Sequence, residues 1–323
     1  MKLPKFFKRI LTTGLAVAVA IGVAGCGGSG GSDSGENFIR IATGGTAGTY
    51  YPIGGAIADV ISKDIPGMSA TAQSTGASVA NINMIRDGQV DLAIVQNDVA
   101  YYALNGTDMF DTKFDGLRGI ASLYPETCQF VTREDSGITS IAGLRGKKVA
   151  VGAAGSGVEA NVRQILKIYG ITYEDIDAKF LSFAEGASAL KDGSVDVACL
   201  TAGYPTASVQ DVASMKKIRI IPIEDDKIES LIKDYPFYTP TVIPAGSYQG
   251  LYEDVKTVSV MAILVASDKV NEDTGYKIAK SIFGNLDKIS AAHPAAEKIK
   301  KDTATAGLDF IKMNEGAAKF FKE

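Results

Sequence analysis

The chain has 323 residues, 46% apolar and 22% charged, with one histidine, three cysteines and no tryptophan. Its 33 basic and 37 acidic residues give a formal net charge of −4. Setting aside Lys2, Lys5, Lys8 and Arg9 at the start leaves 29 against 37, or about −8. That balance, with no basic block beyond the start, excludes nucleic acid as a partner, and so few histidines and cysteines leave no metal-ligating cluster.

The basic start leads into an apolar run, residues 10–24, shorter than the roughly 20 residues a spanning helix needs. It ends in Val23-Ala24-Gly25-Cys26, which resembles a bacterial lipobox. Residues 1–25 are therefore expected to be a lipoprotein signal peptide, with Cys26 the lipidated first residue of an extracytoplasmic, membrane-anchored protein. The alternative is an ordinary signal anchor. Gly27 to Asn37 (GGSGGSDSGEN) reads as the rest of a flexible tether over residues 26–37.

The fold begins with IRIATGGTAGTYYPIGGAIADVISK, residues 39–63: a short strand, a glycine loop, then a helix. The loop contains neither Lys nor Arg and lacks both GxxxxGK[ST] and GxGxxG. What it offers is backbone N–H groups at a helix start with the Thr46 and Thr49 hydroxyls beside them, enough for a carboxylate and a weak design for a polyphosphate. Tyr50 and Tyr51 either wall a cleft or join the core. Next, Gln73-Ser74-Thr75-Gly76 precedes a helix carrying Ser78 and Asn81.

Arg86 to Asn97 reads RDGQVDLAIVQN, and Lys191 to Ala202 reads KDGSVDVACLTA, identical at five of twelve positions at an offset of 105. Each copy predicts a helix end, a glycine stop and an apolar strand whose far end turns polar. The first ends in Gln96-Asn97-Asp98, where Asp98 is either a cleft group or an exposed cap; the second ends in Thr201-Ala202-Gly203-Tyr204. The opening stretch has its own partner in KKVAVGAAGSGVEANVRQILKIYG, residues 147–170. Here Ser156-x-x-Glu159 either forms a capping box or places Glu159 at a cleft, accepting from a ligand ammonium or hydroxyl. Alternating strands and helices in two matched halves predict an α/β fold of two lobes with parallel sheet, whose strand ends meet at one cleft.

Cys128 and Cys199 lie in apolar strand-like runs and are expected to be buried free thiols rather than a disulfide. From about residue 274 the tail predicts helix, with Ile278, Ile282, Phe283, Leu286 and Ile289 packing on a lobe. The single histidine, His293, reads as a helix boundary before Pro294. Outside the glycine-serine tether, where Gly27-Gly28-Ser29-Gly30-Gly31 fits it only by composition, no GxSxG is present, and neither HExxH nor CxxC occurs, so no catalytic machinery or cofactor is expected.

The segments ATGGTAGTYYPIGG (42–55), STGASVANI (74–82), DLAIVQNDVAYYALNG (91–106), ASLYPE (121–126), GAAGSGVEANVRQIL (152–166), TAGYPTA (201–207) and YPFYTPTVIPAGSY (235–248) resemble, in order, the TAXI solute-binding receptors of tripartite ATP-independent periplasmic (TRAP) transporters. The resemblance implies a two-lobed type II periplasmic-binding-protein fold, with residues 38–127 and 257–323 in lobe 1 and 128–256 in lobe 2. It implies capture of a small organic anion (glutamate, glutamine, or a dicarboxylate such as 2-oxoglutarate) for a membrane permease driven by sodium or protons. Its motif positions place Gly44, Gly45, Thr46, Tyr51, Ser74, Asn81, Gln96, Ser156, Gly157, Glu159 and Gly203 at the ligand. Two departures are Val158, where the family has a threonine, and His293-Pro294-Ala295-Ala296, where it has His-Pro-Gly. With no buried arginine in view and Glu159 at the cleft, glutamate or glutamine is the expected ligand over 2-oxoglutarate. A sensory module for a membrane kinase or chemoreceptor, and a secreted hydrolase, are the rival classes.

Overall fold

The computed structural model describes residues 38–323. The expected signal peptide (1–25), the lipidated Cys26 and the tether (26–37) lie outside the described residues.

Strand β1 (Phe38–Ala42) buries Ile39 and Ile41 and leads through the glycine loop into α1 (Tyr50–Asp64). That helix buries Ile53, Ile57, Val60 and Ile61 at helical spacing. Gly54 lets it lie close on the sheet edge, because a Cβ there would come 2.4 Å from Thr43 Cγ2. The chain continues through β2 (Ser69–Gln73), α2 (Ser78–Arg86), β3 (Leu92–Gln96), α3 (Asn97–Asn105) and the long β4 (Leu117–Arg133). The second copy follows as β5 (Lys148–Ala150), α4 (Gly157–Ile168), β6 (Asp177–Lys179), α5 (Phe183–Asp192) and β7 (Val197–Ala202). Then come α6 (Ala207–Met215), β8 (Ile218–Ile221), α7 (Asp225–Asp234), β9 (Thr239–Ile243) and the long β10 (Val255–Ser267). Helices α8 (Glu272–Gly284), α9 (Leu286–Ser290) and α10 (Glu315–Phe320) form the tail.

The strand order is β2-β1-β3-β10-β4-β7-β5-β6, with β8 added to β4 and β9 to β10. β1 is parallel to β2 and β3, and β5 is parallel to β6 and β7. Among the described residues the two triplets are joined through the antiparallel strands β10 and β4. Each long strand serves both halves. β4 pairs with β10 over Leu117–Thr127 and with β7 from Thr127 onward, while β10 pairs with β9 at its start and with β3 at its end. The apolar cores follow this division. Ile41, Ile53, Leu92, Leu264 and Ile282 fill one cluster, and Phe130, Val149, Val162, Ile165 and Val197 fill another.

The duplicated sequence is a duplicated structure. Asp91 Oδ2 accepts from the Arg40 amide and Asp196 Oδ2 from the Lys148 amide, both at 2.8 Å. The aspartate amides return the bond, Asp91 N to Arg40 O at 3.0 Å and Asp196 N to Lys148 O at 2.8 Å. Gly88 and Gly193 both adopt positive φ, +70° and +85°, where a side chain would be strained, to end the helices before each strand.

Cys128 and Cys199 are buried free thiols, and burial pushes the Cys128 thiol up to about 12, which keeps it un-ionised. In the tail Ile278, Ile282 and Ile289 join the first cluster, with Phe283 and Leu286 half-buried against it. His293 caps a short 3₁₀ turn, its Nδ1 accepting from the Ala295 amide at 3.0 Å. Among the described residues, no helix is long and apolar enough to cross a membrane and no group of three or more His, Cys, Asp or Glu is placed to hold a metal ion.

Candidate functional site

A cavity of about 350 Å³ opens where the parallel strands of both halves end. Four helix starts converge on its wall: Thr49 and Tyr50 of α1, Ala77 and Ser78 of α2, Ser156 and Gly157 of α4, Ser182 and Phe183 of α5. The first turn of a helix leaves N–H groups without intrahelical partners and carries a partial positive charge. In the second half side chains answer some of these groups. Ser156 Oγ accepts from the Glu159 amide at 3.3 Å, and Ser182 with Glu185 forms a full capping box. In the first half neither α1 nor α2 has a side-chain cap. No Lys or Arg lies among the described residues of the wall. The positive field of the cavity is therefore a main-chain field.

Ala77, at the start of α2, holds φ +73° and ψ −150°, a conformation nearly confined to glycine. Gly45 shows the opposite case. A Cβ there would meet nothing within 4 Å, so the fold itself leaves room for a side chain, yet the position is bare main chain facing the cavity.

The described wall carries one acid. Glu126 comes from β4, is 2% exposed, and accepts from the Tyr50 hydroxyl at 2.5 Å through Oε1. Its Oε2 has only a long contact, 3.4 Å, from Gln96 Nε2. Burial, more than any neighbour, raises the Glu126 carboxyl to about 8, with the nearby Asp98 adding to the shift. Burial also raises the Tyr50 hydroxyl well above its ordinary value, so Tyr50 stays a donor.

A buried polar seam joins the halves beside the cavity. Asn161 of α4 donates to Asp98 Oδ2 at 2.9 Å and to the Tyr238 hydroxyl at 2.8 Å, and its Oδ1 accepts from Gln96 Nε2 at 3.0 Å. Tyr238 donates to Gln164 Oε1 at 2.7 Å, and Gln164 donates to the Tyr102 hydroxyl at 3.0 Å. The Asp98 acceptor fixes the Asn161 amide, which in turn fixes Gln96 with Nε2 toward the seam. Gln96 Oε1 is left buried without a hydrogen-bond partner. Burial raises Asp98 to about 7, so the exposed-cap alternative for this residue fails: it is fully enclosed. Gly157 packs against this seam so closely that a Cβ would fall 1.7 Å from Gln96 Oε1.

Of the residues expected from sequence, Gly44, Gly45, Thr46, Ser74, Gln96, Ser156 and Gly157 come together on the one wall. Four are placed elsewhere. Tyr51 is 37% exposed, because α1 begins at Tyr50 and turns that ring inward to Glu126 while its neighbour faces out. Asn81 is a strut behind the wall, donating to Thr43 O at 2.6 Å and Ile94 O at 2.8 Å. Glu159 turns along α4 to Arg163 (3.1 Å) and the Tyr173 hydroxyl (2.8 Å), so it neither completes a capping box nor borders the cavity. Gly203 is a point of contact between segments. Its carbonyl accepts from the Thr49 hydroxyl at 3.3 Å, and a Cβ there would come 2.4 Å from that of Ala295. Sequence reasoning passed over Glu126 and Phe183. An acid flanked by the apolar residues of ASLYPETCQFV (121–131) was a usable signal for the first; nothing marked the second.

The profile of the NMT1-like family matches residues 41–323. Among solved structures, MatC from Rhodopseudomonas palustris with bound malate is similar at a TM-score of 0.56 and 13% identity, over 80% of this chain and 88% of that one. PhnD1 from Prochlorococcus marinus in complex with methylphosphonate gives 0.53 and 13%, over 81% and 91%. The alkanesulfonate-binding protein SsuA from Xanthomonas axonopodis pv. citri bound to MOPS gives 0.50 and 14%, over 83% and 85%. At such identities the likeness shows the fold: the two-lobed α/β architecture of periplasmic binding proteins, with its cleft between the lobes.

Proposed function

The chain belongs to the NMT1-like family, and on that premise we propose that it captures a small organic anion outside the cytoplasm and delivers it to a membrane permease. The carrying observation is the convergence of helix starts, two of them uncapped, on a cavity whose described wall has no basic side chain. Such a field suits one carboxylate. The volume, about 350 Å³, is at the small end of ligand sites and fits a metabolite of amino-acid or dicarboxylate size. The similar structures named above are described with malate, methylphosphonate and MOPS, all acids.

The finer reading follows the sequence resemblance. The ligand is glutamate, glutamine or a dicarboxylate such as 2-oxoglutarate. The permease is of the TRAP type, and a lipid on Cys26 holds the protein at the membrane. Lobe 1 (38–127 and 257–323) and lobe 2 (128–256) close on the solute, with Gly44, Gly45, Thr46 and Ser74 meeting it from one side and Ser156 and Gly157 from the other. The earlier reason for preferring an amino acid, a Glu159 facing the ligand, lapses with the position of that side chain.

A thermal-shift panel of amino acids and dicarboxylates tests the reading. A true ligand at ~1,000 times its dissociation constant adds about 4 kcal/mol of stability. If no small carboxylate shifts the melt, the proposal fails. Uptake by whole cells tests the permease: an ionophore abolishes transport through a gradient-driven TRAP system, whereas loss only on ATP depletion assigns an ATP-driven one.

A further inference from the structure

We propose that Glu126 decides which acids the cavity accepts, pairing with the cationic nitrogen of an amino-acid ligand and releasing its own proton to solvent as it does so. This rests on the solute-binding reading above and names the substrate class within it.

The cavity is polarised. Main-chain donors at the starts of α1 and α2, which lack side-chain caps, face it, and so does the acceptor Glu126; behind Glu126, Gln96 Oε1 is buried against Gly157 without a partner. Glu126 Oε1 is engaged by Tyr50, while Oε2 keeps capacity for a better donor than the 3.4 Å contact it has. Gln96, held by the Asn161 side chain, carries a second acceptor atom with no partner. A dicarboxylate satisfies the donor side and sets a second anion against acceptors. An α-amino acid satisfies both sides at once, its carboxylate at the helix starts and its ammonium at Glu126.

The groups facing Glu126 are the Tyr50 hydroxyl from α1, Tyr124 and Cys128 on its own strand, Gln96 at the end of β3 and Asp98 of α3. None is a cation. The empty site therefore holds Glu126 protonated at neutral pH, with its carboxyl raised to about 8 by burial. An arriving ammonium reverses that balance. The carboxylic O–H breaks heterolytically, the proton leaves to buffer, and the ligand nitrogen keeps its three protons and its charge.

The experiment is calorimetric titration of the full chain at pH 7 with L-glutamate, L-glutamine and glutarate, each in two buffers of different ionisation enthalpy. Glutarate matches glutamate without the amine. The expected result is tighter binding of the amino acids, with close to one proton released per ligand and none with glutarate. Glu126→Gln weakens the amino acids by roughly 10- to 100-fold, abolishes the proton release and leaves glutarate unchanged or better bound. Glutarate binding as tightly as glutamate, or amino acids binding with no proton release or with uptake, overturns the proposal and makes the protonated Glu126 a donor to a second carboxylate. Binding of none of the three overturns the small-carboxylate reading itself, and this inference with it. The wild-type proton count needs no variant, so a poorly folding Glu126→Gln does not remove the test.

Discussion

The two halves share a frame and differ at its ends. Asp91 and Asp196 make the same pair of backbone bonds to the preceding strand, and Gly88 and Gly193 turn the chain the same way before them. Five residues beyond each aspartate the copies part. The first half presents Gln96, Asn97 and Asp98, all buried; Gln96 and Asp98 reach across to Asn161 of the other half, while Asn97 accepts from the Met261 amide of β10. The second half presents Thr201, Ala202 and Gly203, where the last works by lacking a side chain. The frame residues are set by main-chain geometry, which both copies must satisfy. The strand ends face the cavity and the neighbouring segments, and there one copy carries acid and amide side chains and the other a close backbone contact.

If acid chemistry is confined to the first half, so is the largest pH effect. Asp98 is raised from 3.8 to about 7 and Glu126 from 4.5 to about 8, so the folded state keeps protons that the unfolded chain has lost. Stability from these groups is complete below about pH 4 and declines as pH rises through 7 to 8, by at most about 1.4 kcal/mol per pH unit for each group. Chemical denaturation of the ligand-free protein across pH 4.5 to 8 measures it. Asp98→Asn and Glu126→Gln each flatten the slope. A slope that survives both places the titrating groups outside this region.

The frame itself is tested by Asp91→Ala and Asp196→Ala. Each removes a carboxylate that accepts a strand amide, part-buried at Arg40 and exposed at Lys148, a loss of about 0.5–1.5 kcal/mol. Asp91 also holds the Arg40 guanidinium through two bonds, Nε to Oδ2 and Nη2 to Oδ1, both 3.0 Å, so its cost is expected to exceed that of Asp196 by up to about 1 kcal/mol. Urea unfolding of both variants makes the comparison, and a much smaller loss in one half shows that its copy of the frame has lost its purpose.

Glycines divide the halves again. Gly157→Ala drives a Cβ into Gln96 Oε1 and to 2.9 Å from Val99 Cγ2, so the fold loses about 1–3 kcal/mol. Gly45→Ala meets nothing in the fold and leaves its stability within about 0.5 kcal/mol, yet places a methyl where the proposed carboxylate would meet bare amides. Melting curves with and without ligand separate the two: the first variant loses stability in both conditions, the second only the gain from ligand.

The frame was legible in the sequence because it repeats. The Asp-Gly-x-Val-Asp pattern and the paired glycine loops gave the parallel triplets and the rim where their strands end. The pairing of β4 with β10 was not, since two long antiparallel strands about 140 residues apart leave no local pattern. At the site, loop residues were found and side chains from elsewhere were not. Glu126 meets Tyr50 across 76 residues of chain. Whether Tyr50 or Tyr51 turns inward depends on the residue at which α1 begins, which a tyrosine pair does not reveal. Ser156-x-x-Glu159 and Ser182-x-x-Glu185 carry one pattern, but only the second closes its box. In the first, Arg163 and Tyr173 hold Glu159 instead.

The smallest effect concerns how each half begins a helix. In the second half Ser156 enters α4 from an ordinary extended conformation, φ −91° and ψ 156°, and caps it with its own oxygen. In the first half Ala77 enters α2 from a conformation that costs a residue with a Cβ about 1–3 kcal/mol, and it caps nothing. Ala77→Gly removes that strain and gives back part of the gain through the freer unfolded chain, about 0.4–1 kcal/mol. The net expectation is a ligand-free protein more stable by about 1 kcal/mol, read by thermal melting. If the strain serves to aim the α2 amides at a ligand, the same variant binds more weakly by calorimetry, because a glycine there has other conformations to lose. Stabilisation with unchanged affinity would show the strain to be a by-product of the tight turn between β2 and α2, and would leave the uncapped start of α1 as the principal anion-facing group of the first half.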